Sequence, residues 1–361
     1  MSNCHRVTHL DRSIDDFFSI PLDDMEKIVE TAVGSDTEVL DWKWIHTLKK
    51  GFEGHRAEKR IPTAVYVDDS GNPKQMTFFI KRHINFEQNE AIHHHLLSMT
   101  DAPIPRLFGF YTAENQRDIT VSEYLEPLFI DEPYDLFLND EVTFSEFIRA
   151  TAEFTTVEIS ETYMKHLDSG YMENHFRARN TFVDSLSRGE TFKLASNDRR
   201  IPLSEPARSK IQNQLKALCD KMDEMPKGLY HWDHRPCNAG WSRRQNRLVI
   251  FDLEDTLLAP RFLDIARWLG APDEIEQRYA DLRSLSNYFL GIYNPRMQTD
   301  VSTDEFLCET NILWKLWQLD YIYWYLQDLE NIPDDVTLDK REEITRTTTG
   351  CMLNSIEILL H

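Results

Sequence analysis

Three oxygen-bearing side chains stand out by type and spacing. Asp233 and Asn238 lie in the pattern His231-x-Asp233-x-x-x-x-Asn238, and Asp252 closes the apolar run Leu248-Val249-Ile250-Phe251. One carboxylate can accept a proton from a hydroxyl, while an asparagine and a second carboxylate offer hard oxygen ligands to Mg²⁺. Phosphoryl transfer divides its labour in this way, with one group orienting the attacking oxygen and metal charge on the phosphates. Acids and asparagines in loops also cap helices and turns. The pattern here spans two segments and follows the logic of a metal site, which favours the chemical reading.

The elements around these residues must position them. Pro236 forbids a regular helix or a central strand through the stretch and keeps Asp233 in a loop. Residues 243–246 are turn-like, and 248–251 read as a buried strand. Loop, strand, turn and strand then bring Asp233, Asn238 and Asp252 to one edge of one hairpin.

The stretch resembles the catalytic and metal loops of the aminoglycoside phosphotransferase/choline kinase-like family, relatives of the protein kinases. There, H-G-D-x-x-P-x-N is followed by I-D-F-E-D and later by D-x-A. This sequence offers His231-Trp232-Asp233, Pro236 and Asn238, then Phe251-Asp252-Leu253-Glu254-Asp255, then Asp264-Ile265-Ala266. Trp232 replaces the usual small residue after the histidine, and Cys237 replaces a frequent glycine. The resemblance implies an α+β, protein-kinase-like two-lobed fold with a small mixed-sheet lobe and a larger helical lobe. The lobes would be residues 1–125, binding nucleotide, and 126–361, carrying catalysis and substrate, with a hinge near 125. It further implies Asp233 as the catalytic group, Asn238 and Asp252 as Mg²⁺ ligands, and ATP as the phosphoryl donor. Glu254 and Asp255 stand beside Asp252, either near the metal or simply solvated. Asp264 is expected as an N-cap carboxylate; in the resembled family this aspartate braces the catalytic loop.

The first third reads as a mixed sheet with one inserted helix. Apolar spacing predicts a short, peripheral amphipathic helix over 22–33. Residues 39–48 are strand-like and lead to Gly51 and Gly54. Glycines there could let backbone N–H groups approach a phosphate, but on these residues alone an ordinary hairpin is the better reading. Strands over 63–67 and 76–81 flank the turn sequence DDSGNPKQ. The second ends on Lys81, whose burial costs desolvation unless it meets an anion. A helix over 86–99 carries Glu87 and Glu90 in its first turns, and a helical carboxylate facing the strand could hold Lys81 as an ion pair aimed at phosphates. The family's E-A-x-x-x-x-L-L…x-P-x-P-x-L passage resembles this region and favours Glu90. His93, His94 and His95 are consecutive on that helix and point in different directions, so they cannot share one metal ion. Strands over 107–112 and 119–124 complete the small-lobe order. By the resemblance, Glu123 and Leu125 then contact the nucleotide base through their main chain.

Beyond Pro133 the pattern is mostly helical, with helices predicted over 144–163, 174–186 and 207–222. Trp314, Trp317, Tyr321 and Trp324 recur on one face of a helix over 311–329, a pattern that more often marks core than a binding site.

Composition bounds the function. The 361-residue chain carries a formal net charge of −21. This argues against nucleic-acid or anionic-membrane partners and is compatible with a cationic small-molecule acceptor. Five scattered cysteines with no C-x-x-C fit reduced thiols in a cytoplasmic protein. No apolar run approaches a membrane span, and the start of the chain has no apolar signal region. The expected function is ATP- and Mg²⁺-dependent phosphorylation of a hydroxyl on an aminoglycoside-, choline- or sugar-like molecule. The alternative is a catalytically inert kinase-like protein that binds nucleotide or a partner. A protein kinase proper is disfavoured, since Asp252-Leu253-Glu254 stands where D-F-G would.

Overall fold

The computed structural model describes residues 17–34, 37–44, 57–83, 90–112, 118–128, 140–167, 204–270, 282–333 and 335–360. They form two compact units, one drawn from 1–137 and 233–255, the other from 138–232 and 256–361. Among the described residues no helix is long and apolar enough to cross a membrane. Gly51, Gly54 and the helix expected over 174–186 lie outside the described residues.

The first unit is built on a six-stranded antiparallel sheet whose spine is β4 (Pro73–His83). One edge of β4 pairs with β3 (Pro62–Val67) and then, past a kink at Ile61, with β2 (Ala57–Arg60). The other edge pairs with β6 (Asp118–Glu123), which continues to β5 (Leu107–Thr112), while β1 (Glu38–Trp44) pairs with β3. The expected β3–β4 turn is present. Asp68 Oδ1 accepts from the N–H groups of Ser70 and Asn72 at 3.0 and 3.1 Å, and Gly71 supplies a φ of 77°.

Side chains alternate across a strand, so the two faces of this sheet take different residues from the same segments. Phe78 and Ile80 of β4 join Ile119 and Val121 of β6, Ala64 and Trp42 in one apolar core. Helix α1 (Leu22–Val33) closes that core with Met25, Ile28, Val29 and Ala32, and a left-handed Gly34 (φ 84°) ends it. The helix has the expected bounds, but its expected peripheral place is wrong, because its buried face supplies one wall of the core. The intervening residues, Phe79, Lys81, Thr120 and Ser122, face a cavity instead.

Residues 233–255 belong to this unit because the hairpin of β8 (Ala239–Ser242) and β9 (Arg247–Ile250) is stapled to it. Ile250 N–H donates to the Pro103 carbonyl at 2.7 Å, Leu128 N–H to Ala239 at 2.8 Å, and Gln245 Nε2 to Ile104 at 2.7 Å.

The second unit holds α3 (Glu141–Thr155), α4 (Glu161–Leu167), α5 (Glu205–Glu224), α6 (Leu263–Leu269), α7 (Leu282–Met297), α8 (Thr303–Glu330) and α9 (Leu338–Leu360). A two-stranded ribbon pairs β7 (Lys227–Tyr230) with β10 (Leu257–Pro260). The single helix expected over 144–163 is two, α3 and α4. The break follows Thr155-Thr156-Val157, a β-branched run with low helix propensity. Phe262, Phe289, Tyr293 and Phe306 form an aromatic core, with the Phe262–Phe306 centroids 4.8 Å apart. In α8, Trp317 is buried and its Nε1 donates to the Leu263 carbonyl at 3.0 Å, as a core residue should, while Trp314 and Tyr321 are half-buried.

Candidate active site

Lys81 is the buried centre of the cavity. It stands near the end of β4, and α2 (Glu90–Leu97) opens on the carboxylate that meets it. Lys81 Nζ forms an ion pair with Glu90 Oε2 and donates to Asp252 Oδ1 at 3.0 Å. Burial pulls the lysine pKa down, but the Asp252 and Glu90 carboxylates outweigh it and leave the group above its ordinary value, hence charged. Removing one partner of such a pair strands the other charge, so the three groups hold one another in place. His83, on the same face of β4, lies 3.8 Å from Glu90, and burial pushes its pKa down to about 4.

The hairpin presents the remaining groups at its open end. Ala239 and Ile250 are its last pair, Phe251 N–H donates to the Asn238 carbonyl at 2.9 Å, and Asn238 and Asp252 flank this closure. Pro236 starts a single 3-10 turn (Pro236–Asn238), which folds Asn238 back so that its Nδ2 donates to Asp233 Oδ2 and to the Asp233 carbonyl, both at 2.8 Å. With the amide nitrogen fixed on Asp233, the amide oxygen is the atom Asn238 has left to offer a cation. Asp252 adopts a left-handed backbone (φ 68°), which aspartate tolerates better than most residues. Glu90, Asp252 and Glu254 place carboxylate oxygens within 4.8 Å of one another. Together with Asn238 this donor set is entirely oxygen, the chemistry Mg²⁺ takes, so the residues present fit that ion. Asp233, Asn238, Asp252, Lys81 and Glu90 all line one cavity of about 350 Å³.

At the other end of the cavity lie Glu123 and Leu125. The Glu123 side chain is buried and points away from any ligand role: Ser242 Oγ lies 2.9 and 2.8 Å from its two carboxylate oxygens and donates to them. Its backbone N–H donates to the Arg106 carbonyl at 2.9 Å. Gly240 lets β8 approach this segment closely, since a Cβ there would stand 2.7 Å from the Glu126 carbonyl oxygen and 3.3 Å from Leu125 Cβ.

The approach to the motif is braced in the second unit. Asp264 lies in the first turn of α6 and its Oδ2 accepts from His231 N–H at 2.8 Å. The expected N-cap role is therefore incorrect: Phe262 is the cap residue, and the carboxylate reaches back to the loop before Asp233. Trp232 takes a left-handed φ of 70°, a conformation that suits glycine better than a bulky side chain. Its ring packs on Tyr230 and Trp317 at centroid distances of 5.4 and 6.0 Å, contacts that work against the roughly 1–2 kcal/mol cost of that backbone.

No family model matches the sequence, and no curated protein matches it. Solved structures do. A candidate aminoglycoside phosphotransferase from Ralstonia eutropha JMP134 superposes with a TM-score of 0.52 at 13% identity, covering 94% of this chain and 98% of that one. The chain has the aminoglycoside phosphotransferase fold. This is the α+β, protein-kinase-like class that the sequence predicts. An ethanolamine kinase from Plasmodium vivax follows with a TM-score of 0.49 at 13% identity over 88% of this chain and 84% of that one. The GDP complex of aminoglycoside 2'-phosphotransferase-IIIa gives 0.48 at 12% over 91% and 97%.

Two residues of this phosphotransferase-like fold escaped the sequence reading. Arg235 stands two positions after Asp233 and grips it, with Nε 2.6 Å from Oδ1 and Nη2 2.6 Å from Oδ2. Its place inside the motif was the available signal. Lys59 lines the cavity from β2, a strand of four mostly charged residues with no apolar periodicity to reveal it.

Proposed function

We propose that the chain is an ATP-dependent phosphotransferase acting on a hydroxyl group of a small molecule, of the aminoglycoside, choline or sugar type. In this reading the lobe boundary falls near residue 125, and the base of the nucleotide sits against the main chain of Glu123 and Leu125. Lys81, fixed by Glu90, neutralises the phosphates. Asn238 and Asp252 hold Mg²⁺, which supplies positive charge to the phosphate oxygens when bound. Asp233 orients the acceptor hydroxyl and takes its proton. The acceptor oxygen forms the new bond to the γ-phosphorus as the bond to the ADP oxygen breaks, giving a phosphate monoester and ADP. The observation that carries this reading is the convergence of Lys81, Glu90 and Asp252 by ion pairing in the same cavity as Asp233 and Asn238. Positioning and fixed charge are what this reaction chiefly asks of a protein.

A second reading, a nucleotide-binding protein without transfer activity, is favoured by Arg235, which occupies both carboxylate oxygens of Asp233. One experiment separates the two. The full chain is incubated with Mg-ATP and a panel of hydroxyl-bearing metabolites and antibiotics, and phosphate transfer is followed. Acceptor-dependent ADP release supports the kinase. Nucleotide binding with no transfer across the panel supports the second reading.

A further inference from the structure

The ladder between β2 and β4 arranges its charges in opposite senses on its two faces. Glu58 stands directly across from Arg82 and the two form an ion pair. One residue on, Lys59 stands directly across from Lys81. Directly opposed residues of an antiparallel pair point to the same face, where opposite charges stabilise and like charges repel. The outer pair obeys that rule and the cavity pair breaks it.

Lys59 is half-buried, so solvent does not fully relieve the repulsion. Among the described residues it forms no ion pair within 4.0 Å, whereas the Lys81 ammonium is held by Glu90 and Asp252. Burial, and then the Lys81 ammonium, lower the Lys59 pKa. Two adjacent ammonium groups at the inner end of a cavity are unfavourable until a multivalent anion arrives. Position fits as well. Phe78 pairs with Glu123, and Lys81 lies three residues further along β4 between Thr120 and Lys59. At about 3.3 Å per residue the two lysines stand roughly 10 Å along the strand from the level of Glu123. That is the direction in which a nucleotide's phosphates run when its base lies at the Glu123 end.

We propose that Lys59 is a second phosphate-binding cation of this site, contacting the polyphosphate of the nucleotide beside Lys81. This rests on the nucleotide-binding reading above. The test is calorimetric titration of the full chain with Mg-ATP, ADP and adenosine, for wild type, Lys59→Met and Lys59→Arg, with thermal unfolding as the folding check. Lys59→Met should weaken ATP and ADP by about tenfold, as expected for a lost charge-assisted contact, and leave adenosine unchanged. Its ATP affinity should also depend less steeply on salt, and Lys59→Arg should recover most of the loss. A folded Lys59→Met chain that binds ATP as tightly as wild type overturns the assignment while nucleotide binding stands. An equal loss for ATP and adenosine overturns it too, since the role would then be structural. A wild-type chain that binds none of the three removes the nucleotide reading and this assignment with it.

Discussion

The two faces of one sheet carry opposite duties. On β4 and β6, Phe78, Ile80, Ile119 and Val121 are buried in an apolar core against α1, where filled volume matters more than the identity of any one contact. Their sequence neighbours Phe79, Lys81, Thr120 and Ser122 line a cavity with charged walls. Lys81 is as buried as the core residues, at 5% exposure, yet it is held by two carboxylates rather than by packing. One face therefore stores stability, while on the other the attraction between buried charges does little more than offset their desolvation, so the intact set adds little although removing one partner is costly.

Substitutions on the two faces should separate these duties. The largest effect is expected at Asp252→Asn, which should lower phosphate transfer by about a thousandfold or more while leaving the unfolding midpoint near that of wild type. Steady-state kinetics and thermal unfolding on one preparation check both halves. Phe78→Ala, on the opposite face, should destabilise the chain by about 3–5 kcal/mol, read from the urea midpoint. If Asp252→Asn unfolds the protein and Phe78→Ala does not, the division between the faces is wrong.

A smaller effect tests whether Lys81 and Glu90 act as one unit. Lys81→Met leaves Glu90 buried beside Asp252 and should cost about 3 kcal/mol. Adding Glu90→Gln should return most of that loss without returning activity. Additive losses in the double variant would show that the pair is not coupled.

The smallest effect is a pH dependence. Burial holds His83 at about 4 and lowers His94, whose Nε2 bonds the Pro105 carbonyl at 2.8 Å. In the unfolded chain both titrate near the usual value of about 6.5. Between those limits the unfolded chain binds more protons, so this stability is complete above pH ~6.5 and is lost as pH falls toward 4. The urea midpoint should drop between pH 7 and 5, and drop less in His83→Gln. An identical drop in both proteins would assign the dependence to other groups.

The parts of the site legible in the sequence are those fixed by local geometry. Asn238 and Asp252 flank one short hairpin, and a Pro236 turn suffices to fold Asn238 onto Asp233. Lys81 was legible as a lysine ending an apolar strand, a position that demands an anion. Partners chosen by tertiary packing were harder to read. The pattern of α1 says which of its faces is buried but not against what, and so its place over the sheet was missed. Asp264 begins a helix in sequence, and only the fold shows that its carboxylate reaches His231 rather than its own first turn. Lys59 lies on a strand that exists because β4 offers an edge, with no apolar alternation of its own.

The central claim is that this cavity takes a metal-bound nucleotide. Its most direct test is equilibrium binding of ATP to the full chain with and without Mg²⁺, in wild type and in Asp252→Asn. Tight binding that requires Mg²⁺ in wild type, with that requirement lost in the variant, is the expected result. Binding of no nucleotide, or the same metal dependence in both proteins, would contradict it.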